Sequence, residues 1–441
     1  MAAANRTNDA ENRIVGLMVG AAVGDAVGLY TESLSALDIK DHYPFGFLLD
    51  STGQNPTPYF PDDHRSKFDD ASWTDDTDMA LCILLAFLHT GDIKHVEVAT
   101  RLRDWRYKGL RALDTGVPDI DEYNEVVLAR LDYLRQDTGG PLASAQNYWV
   151  ATGGGKDEGN GKGAIMRTHP IGAIRANGST HEALAAAANV ARVTHSDPRC
   201  VVSAVIITAI ARGLIRGEIR TIQELDRHLQ TSVGWYIAQK YEAEVKYYRL
   251  NKSRREELSR IVTSGSLFAM GLDEFKSPAE KRSGGDTYKT LGAAIYCLRK
   301  AMSRLSEVDS SEPEFETTRK SLFEKLISDV AIEGGDASTN TAVAGALLGA
   351  YLGYDAIPAN WRNGLRNMEF LLSKSQSLCK ALKVIPGDYV FGSEADTALT
   401  GGRPELDEAA LDAREAAFDG WKQQRTATLQ QRWASKAPQQ D

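Results

Sequence analysis

Apolar residues along the chain recur mostly at intervals of three and four, the spacing that lines one face of an α-helix. Met79, Leu81–Leu85 and Leu88 predict one helix, and Val126, Val127, Leu128, Leu131 and Leu134 another. Period-two alternation with β-branched enrichment is scarce, so the expected fold class is all-α. Loops are expected over 44–72, rich in Pro, Asp and Gly, and over 136–163, which ends in GGGKDEGNGKG. SGS and SGGD punctuate 264–290, and 306–317 is an acidic connector. Residues 218–262 are charged with a helical pattern and predict an exposed helical hairpin inserted in a main domain spanning 1–400. The remaining 401–441 is amphipathic and predicts one or two peripheral helices. No repeat of fixed period is present.

Two segments carry an unusual helical stripe. GLMVGAAVGDAVG sets Gly16, Gly20, Gly24 and Gly28 four apart, and VAGALLGAYLGY does the same with Gly345, Gly349 and Gly353. Glycine inside a helix costs about 1 kcal/mol relative to alanine, so seven of them imply that two backbones approach closely. The two helices are expected to pack on each other at the centre of the fold. Small residues at this spacing also join membrane helices, but Asp25 and the short apolar stretch argue against that here. The longest apolar runs, such as VVSAVIITAIA at 201–211, fall short of the roughly 20 residues that span a bilayer.

Composition narrows the field. At 441 residues and 42% apolar, the chain can bury a large core. A net charge of −9 without a basic stripe gives no footprint for nucleic acid. Cys82, Cys200, Cys297 and Cys379 lie far apart with no C-x-x-C spacing, as expected of free thiols in a reducing compartment. The opening MAAANRTNDAENR has the pattern of neither a secretory signal nor a transit peptide. A soluble protein of the cytoplasm, or of the nucleus, is expected.

Candidate chemistry gathers at two helix starts. In SWTDDTDMALCILLAFL, residues 72–88, Ser72 or Thr74 can cap the helix, and acids in its first turn suit the helix dipole. Three acids in four residues, Asp75, Asp76 and Asp78, repel one another beyond what capping requires. A hydroxyl beside carboxylates is a hard-oxygen half-site for Mg²⁺, Mn²⁺ or Ca²⁺. EGGDASTNTA, residues 333–342, opens the second glycine helix with Asp336 and Thr339. Either start alone reads equally as a cap; two such starts on central helices suggest a shared cation site. The glycine-rich loop at 153–163 fits no P-loop register and follows no strand, but its N–H groups can cradle an anion such as a pyrophosphate. His195 and His169 are each more simply structural hydrogen-bonding groups.

These segments, taken in order, resemble the ADP-ribosylglycohydrolase family. The matches are G-x-x-x-G-x-A-V-G-D-A-V-G-x-x-x-E at 16–32, W-T-D-D-T at 73–77, G-x-x-M-R-x-x-P-I-G at 163–172 and T-H-S-D-P-R at 194–199. They continue with G-G-D-x-x-T, G-A-L-L-G-A-x-x-G and I-P-x-x-W across 334–361. The stretches after His195 and around the second glycine helix are most similar to the fungal branch. The resemblance implies a compact orthogonal helical bundle with two Mg²⁺ or Mn²⁺ ions in a central cleft. It implies that Thr74, Asp75 and Asp76 supply one set of ligands, and Asp336 and Thr339 the other. Glu32 matches the family's mobile glutamate, which gates the site and assists catalysis together with Asp75 and Asp76. Gly161, Lys162, Gly163 and His195 would hold the ADP-ribose. The implied reaction is hydrolysis at the ribose anomeric carbon, releasing ADP-ribose from a modified protein or a small-molecule conjugate. A non-catalytic ADP-ribose-binding or structural relative, of the kind some lens crystallins represent, is the alternative, as is a hydrolase of a free ADP-ribose metabolite.

Two positions depart from the family pattern. G-G-D-x-D-T has Ser338 at its second acid, which removes a negative charge where two dications would meet and leaves room for a one-ion site with reduced activity. Lys162 stands where the family has Asn, and its cation can pair with a phosphate.

Overall fold

A computed structural model describes residues 2–54, 56–116, 122–130, 133–135, 137, 139–153, 161–239, 243–270, 272 and 286–435. Most of the glycine-rich loop, 154–160, and the first three residues of SGGD lie outside these. Among the described residues every regular element is helical and there is no strand, as the apolar spacing predicts.

The centre of the fold is the pair of glycine helices, Ala2–Gly28 and Ala337–Leu352. Their backbones touch where the glycines meet. A Cβ on Gly349 would lie 1.9 Å from the Gly16 carbonyl oxygen, and one on Gly20 would lie 2.3 Å from that of Gly345. Gly24 meets the Thr341 carbonyl in the same way, at 2.1 Å. Gly353 departs from the expected ridge: it ends its helix at φ +91° and approaches Asn12 instead.

Helices Thr287–Ser306, Pro313–Ala331 and Met368–Ala381 pack around this pair, and Pro198–Ile215 closes it from another side. Pro198–Ile215 is longer than the 201–211 run suggests and meets the length and composition of a membrane span. Every one of its residues is buried inside the protein, so its apolar surface is spent on the core. The helix marked by Val126 is short, Glu122–Ala129, and turns at Tyr133. Residues 218–262 form three helices, Ile222–Ala238, Ala243–Leu250 and Lys252–Val262, in place of a hairpin. Their charged sequence hides an apolar face: Leu225, Leu229, Tyr236, Tyr248, Leu258 and Ile261 are buried.

The tail forms one helix, Glu408–Ala434. Arg425 and Arg432 both bind the buried Asp70 carboxylate, at 2.5 and 2.7 Å, and Arg425 also donates to the Phe68 carbonyl. Trp433 packs on His42, Tyr43 and Phe60. This helix therefore clamps the 44–72 loop, whose Arg65 donates in turn to the Tyr30 and Glu32 carbonyls.

His169 gives a stability expectation. It is buried, its Nδ1–H donates to the Met166 carbonyl, and Nε2 has no hydrogen-bond partner. Burial pushes its pKa down to about 4. The unfolded chain therefore takes up this proton before the folded one does, and stability contributed by the neutral ring is lost as pH falls from 6.5 towards 4. Denaturant unfolding at pH 7 and 4.5 should show an acid loss that His169→Phe reduces by up to about 3 kcal/mol.

Candidate active site

Asp25, midway along an apolar helix, organises the first helix start. Its buried carboxylate accepts from the backbone N–H groups of Thr74 and Thr77 and from the Thr77 hydroxyl, at 2.7 to 3.1 Å. Thr74 is then the N-cap of Asp75–Thr90, its Oγ1 accepting from Asp76 N–H at 3.3 Å while its own proton goes to Asp76 Oδ2 at 2.9 Å. Burial, with Asp76 nearby, raises the Asp25 pKa well above the ordinary value. The third acid is withdrawn from the cluster. Asp78 accepts the indole N–H groups of Trp73 and Trp105, at 2.8 and 2.9 Å, and is a structural residue.

The second helix start is set by its glycines. Gly334 and Gly335 both have left-handed φ, +71° and +64°, and a Cβ on Gly334 would collide with the Leu34 carbonyl at 2.2 Å. Ser33 N–H donates to the Gly335 carbonyl at 2.7 Å, which ties the loop after the first glycine helix to this turn. The lacing places Glu32 Oε2 on the Ser338 backbone N–H at 2.7 Å. Asp336 occupies the N-cap position but makes no capping hydrogen bond. Its carboxylate is used elsewhere, which argues against the simple cap.

Lys162 provides that use. Its ammonium pairs with Asp336 Oδ1 and stands 3.7 Å from Glu32 Oε1, and its side chain is only 14% exposed. The turn that carries it is fixed from three sides. The Cys200 thiol donates to the Gly161 carbonyl, and the Asn124 amide and His195 ring sit where a Gly163 side chain would be. His195 is fully buried, its Nδ1 2.8 Å from the Thr194 hydroxyl, which also accepts from Arg167. Its place against Gly163 makes it a support of the Lys162 turn.

Electrostatics bind these parts together. Burial opposes the Glu32 carboxylate, but Lys162, His64 and the Ser338 N–H outweigh it and hold the pKa below the ordinary range. Burial raises Asp76 and Asp336 despite the attraction of Lys162. Burial also disfavours the ammonium, yet Asp336, Glu32, Asp76 and Asp75 overcome it and keep Lys162 charged. Thr74, Asp75, Asp76, Asp336 and Thr339 are all buried, Asp75 the least deeply. Asp336 Oδ2 makes no hydrogen bond, and the Thr339 hydroxyl lies against the Asp76 carboxylate and helps to hold its charge. Buried oxygens of this hard type fit a divalent cation. Among the described residues no group of three or more His, Cys, Asp or Glu is placed to hold a metal ion, so a cation here would need the Thr74 and Thr339 hydroxyls beside the carboxylates. A cavity of about 320 Å³ is lined by Trp73, Thr74 and Asp78 and by Phe418 and Trp421 of the last helix.

Sequence reasoning found the two helix starts but missed Asp25 and the destination of Lys162. Asp25 had a readable signal, being an acid in the middle of a glycine-striped apolar helix.

The profile of the family described as ADP-ribosylglycohydrolase matches residues 6–388, leaving out the last helix. The human protein "ADP-ribosylhydrolase ARH3" is 23% identical over 372 residues, covering 83% of this chain and 93% of that protein. "ADP-ribosylarginine hydrolase Tri1" of Serratia proteamaculans is 23% identical over 363 residues, 82% of this chain and 78% of that protein. A solved "ADP-ribosylglycohydrolase-related protein complex" shares the fold, with TM-score 0.51 and 23% identity over 84% of this chain and 98% of that one. The profile match extends over most of the chain and through both helix starts, and the chain belongs to the ADP-ribosylglycohydrolase family.

Proposed function

We propose that this protein hydrolyses the glycosidic bond at the ribose anomeric carbon of an ADP-ribosylated protein or small molecule and releases ADP-ribose. The observation that supports it most is the meeting of Glu32, Asp76 and Asp336 around one polar centre at the starts of two packed helices. Family membership and the names of the two hydrolases above point to the same class of reaction.

In this reading Glu32 is the base. Held ionised chiefly by Lys162 and oriented by the Ser338 N–H, it takes a proton from a water whose oxygen attacks the anomeric carbon. The bond from that carbon to the acceptor breaks as the new C–O bond forms, and the acceptor leaves with a proton. Asp76, fixed by Thr74, and Asp336 bind the ribose side of the centre, which sets the sugar in line for attack. Gly161 and Gly163 present backbone N–H groups on the phosphate side, steadied by His195. A divalent cation, Mg²⁺ or Mn²⁺, would be held by Thr74, Asp75, Asp76, Asp336 and Thr339 and would supply positive charge to the ribose hydroxyls.

The test is release of free ADP-ribose, followed chromatographically, from arginine-linked and serine-linked conjugates with and without Mg²⁺. Cleavage of either linkage is expected. No release from any conjugate, with ADP-ribose binding intact by calorimetry, would instead establish a binding protein. The Lys162–Asp336 pair is the feature that favours that second reading.

A further inference from the structure

The hydrolase reading uses Lys162 only to keep Glu32 ionised. A flexible ammonium near the phosphate side of a nucleotide site would serve best if it reached towards the ligand, yet here it points inward. Its turn is pinned by Cys200, Asn124 and His195, and its charge lies between the carboxylates of Asp336 and Glu32. The pairing joins residues 174 apart in sequence and is largely shielded, with the lysine side chain 14% and the aspartate 8% exposed, so it is part of the built site rather than a surface ion pair.

Charge and donor atoms then divide the centre in two. On one side are Asp336 Oδ1, Glu32 Oε1 and the ammonium. On the other are Asp336 Oδ2, which no hydrogen bond satisfies, and the buried oxygens of Asp76 and Thr339, which lie against each other. Four carboxylates, those of Asp336, Glu32, Asp76 and Asp75, act on one tethered positive charge, which leaves a formal −3 when all are ionised. One dication brings that to −1. A second would have to occupy the place of the ammonium, and residue 338, a serine, offers Glu32 an N–H and brings no further carboxylate to hold it. Like charges confined a few ångströms apart in a buried site repel strongly.

We propose that the Lys162 ammonium is a built-in cation that fills the half-site between Asp336 and Glu32, so that the protein takes one divalent ion where its two helix starts would otherwise frame two. The inference rests on reading this centre as the cation-assisted site proposed above. Lys162 is on this account a positioning residue: it holds Glu32 and Asp336 in place permanently, in the absence of any dissolved ion.

Titration of the full-length protein with Mn²⁺, read by calorimetry and by electron paramagnetic resonance, tests it. Wild type should bind one Mn²⁺ per chain. Lys162→Met removes the charge at nearly constant length; it should bind Mn²⁺ at least roughly tenfold tighter, given the several kcal/mol between close unit charges near a protein surface. The pair Lys162→Met with Ser338→Asp should bind a second ion. In chelator Lys162→Met should melt below wild type and recover in Mn²⁺, a rescue that a lysine serving only to pack would not show. Two ions or none on the wild type, or unchanged affinity in Lys162→Met, would overturn the inference. Should Lys162→Met fail to fold, the wild-type stoichiometry decides alone. These readings need no substrate. One bound ion without ADP-ribose release would sink only the hydrolase reading, and release with two bound ions only this one.

Discussion

Glu32→Gln is expected to lower kcat for ADP-ribose release by about 10²–10⁴-fold, the usual contribution of a positioned general base. The change is nearly isosteric. Glutamine keeps an oxygen to accept from the Ser338 N–H, and Lys162 keeps its pair with Asp336, so the site retains its shape. What is lost is the capacity to take a proton from water. ADP-ribose affinity should stay within about threefold, since the loss concerns an interaction made in the transition state rather than on binding. A variant that keeps its rate within threefold would remove Glu32 from the chemistry and pass the base to Asp75 or Asp76.

The largest stability effect should come from a single methyl group. Gly349→Ala places a Cβ 1.9 Å from the Gly16 carbonyl oxygen and 2.6 Å from its carbon, both backbone atoms of the facing helix. No rotamer relieves that overlap; the two central helices must separate. Overpacking a core costs about 1–3 kcal/mol, and more where the neighbour is rigid, so a loss of at least about 3 kcal/mol is expected by denaturant unfolding. Gly420→Ala is the control. It lies inside Glu408–Ala434 with nothing near its missing Cβ, and should gain about 0.5–1 kcal/mol from helix propensity. If both substitutions are neutral, the glycine stripes are not there for close packing.

The difference between these two glycines shows what was legible in the sequence. A lone glycine carries no message, but repeats every fourth residue in two segments state a helix–helix contact. Helical class followed from apolar spacing, and the Thr74 and Asp336 helix starts from local chemistry, because each signal is contained within a few residues. Long-range pairings were not readable. Asp25 reaches Thr74 and Thr77 across about fifty positions, and Lys162 reaches Asp336 across 174, so only the folded chain discloses them. The W-T-D-D-T-D run misled in one respect. Asp78 was counted with its neighbours as part of a repelling acidic cluster, but two distant indoles turn it inward and leave Asp75 and Asp76 to face the centre. The apparent hairpin at 218–262 failed for a different reason: high overall charge masked apolar residues that share one face only once three separate helices form.

The clamp on Asp70 bears on the order in which the protein is made. Arg425 lies 355 residues beyond Asp70, in a helix outside the family match, yet it steadies the loop whose Arg65 holds the Glu32 backbone. A chain emerging from the ribosome can pack its two glycine helices once residue 352 is out, but the support behind Glu32 is still unsynthesised. The nascent protein thus passes through a stage with its core assembled and the loop around Glu32 unfastened.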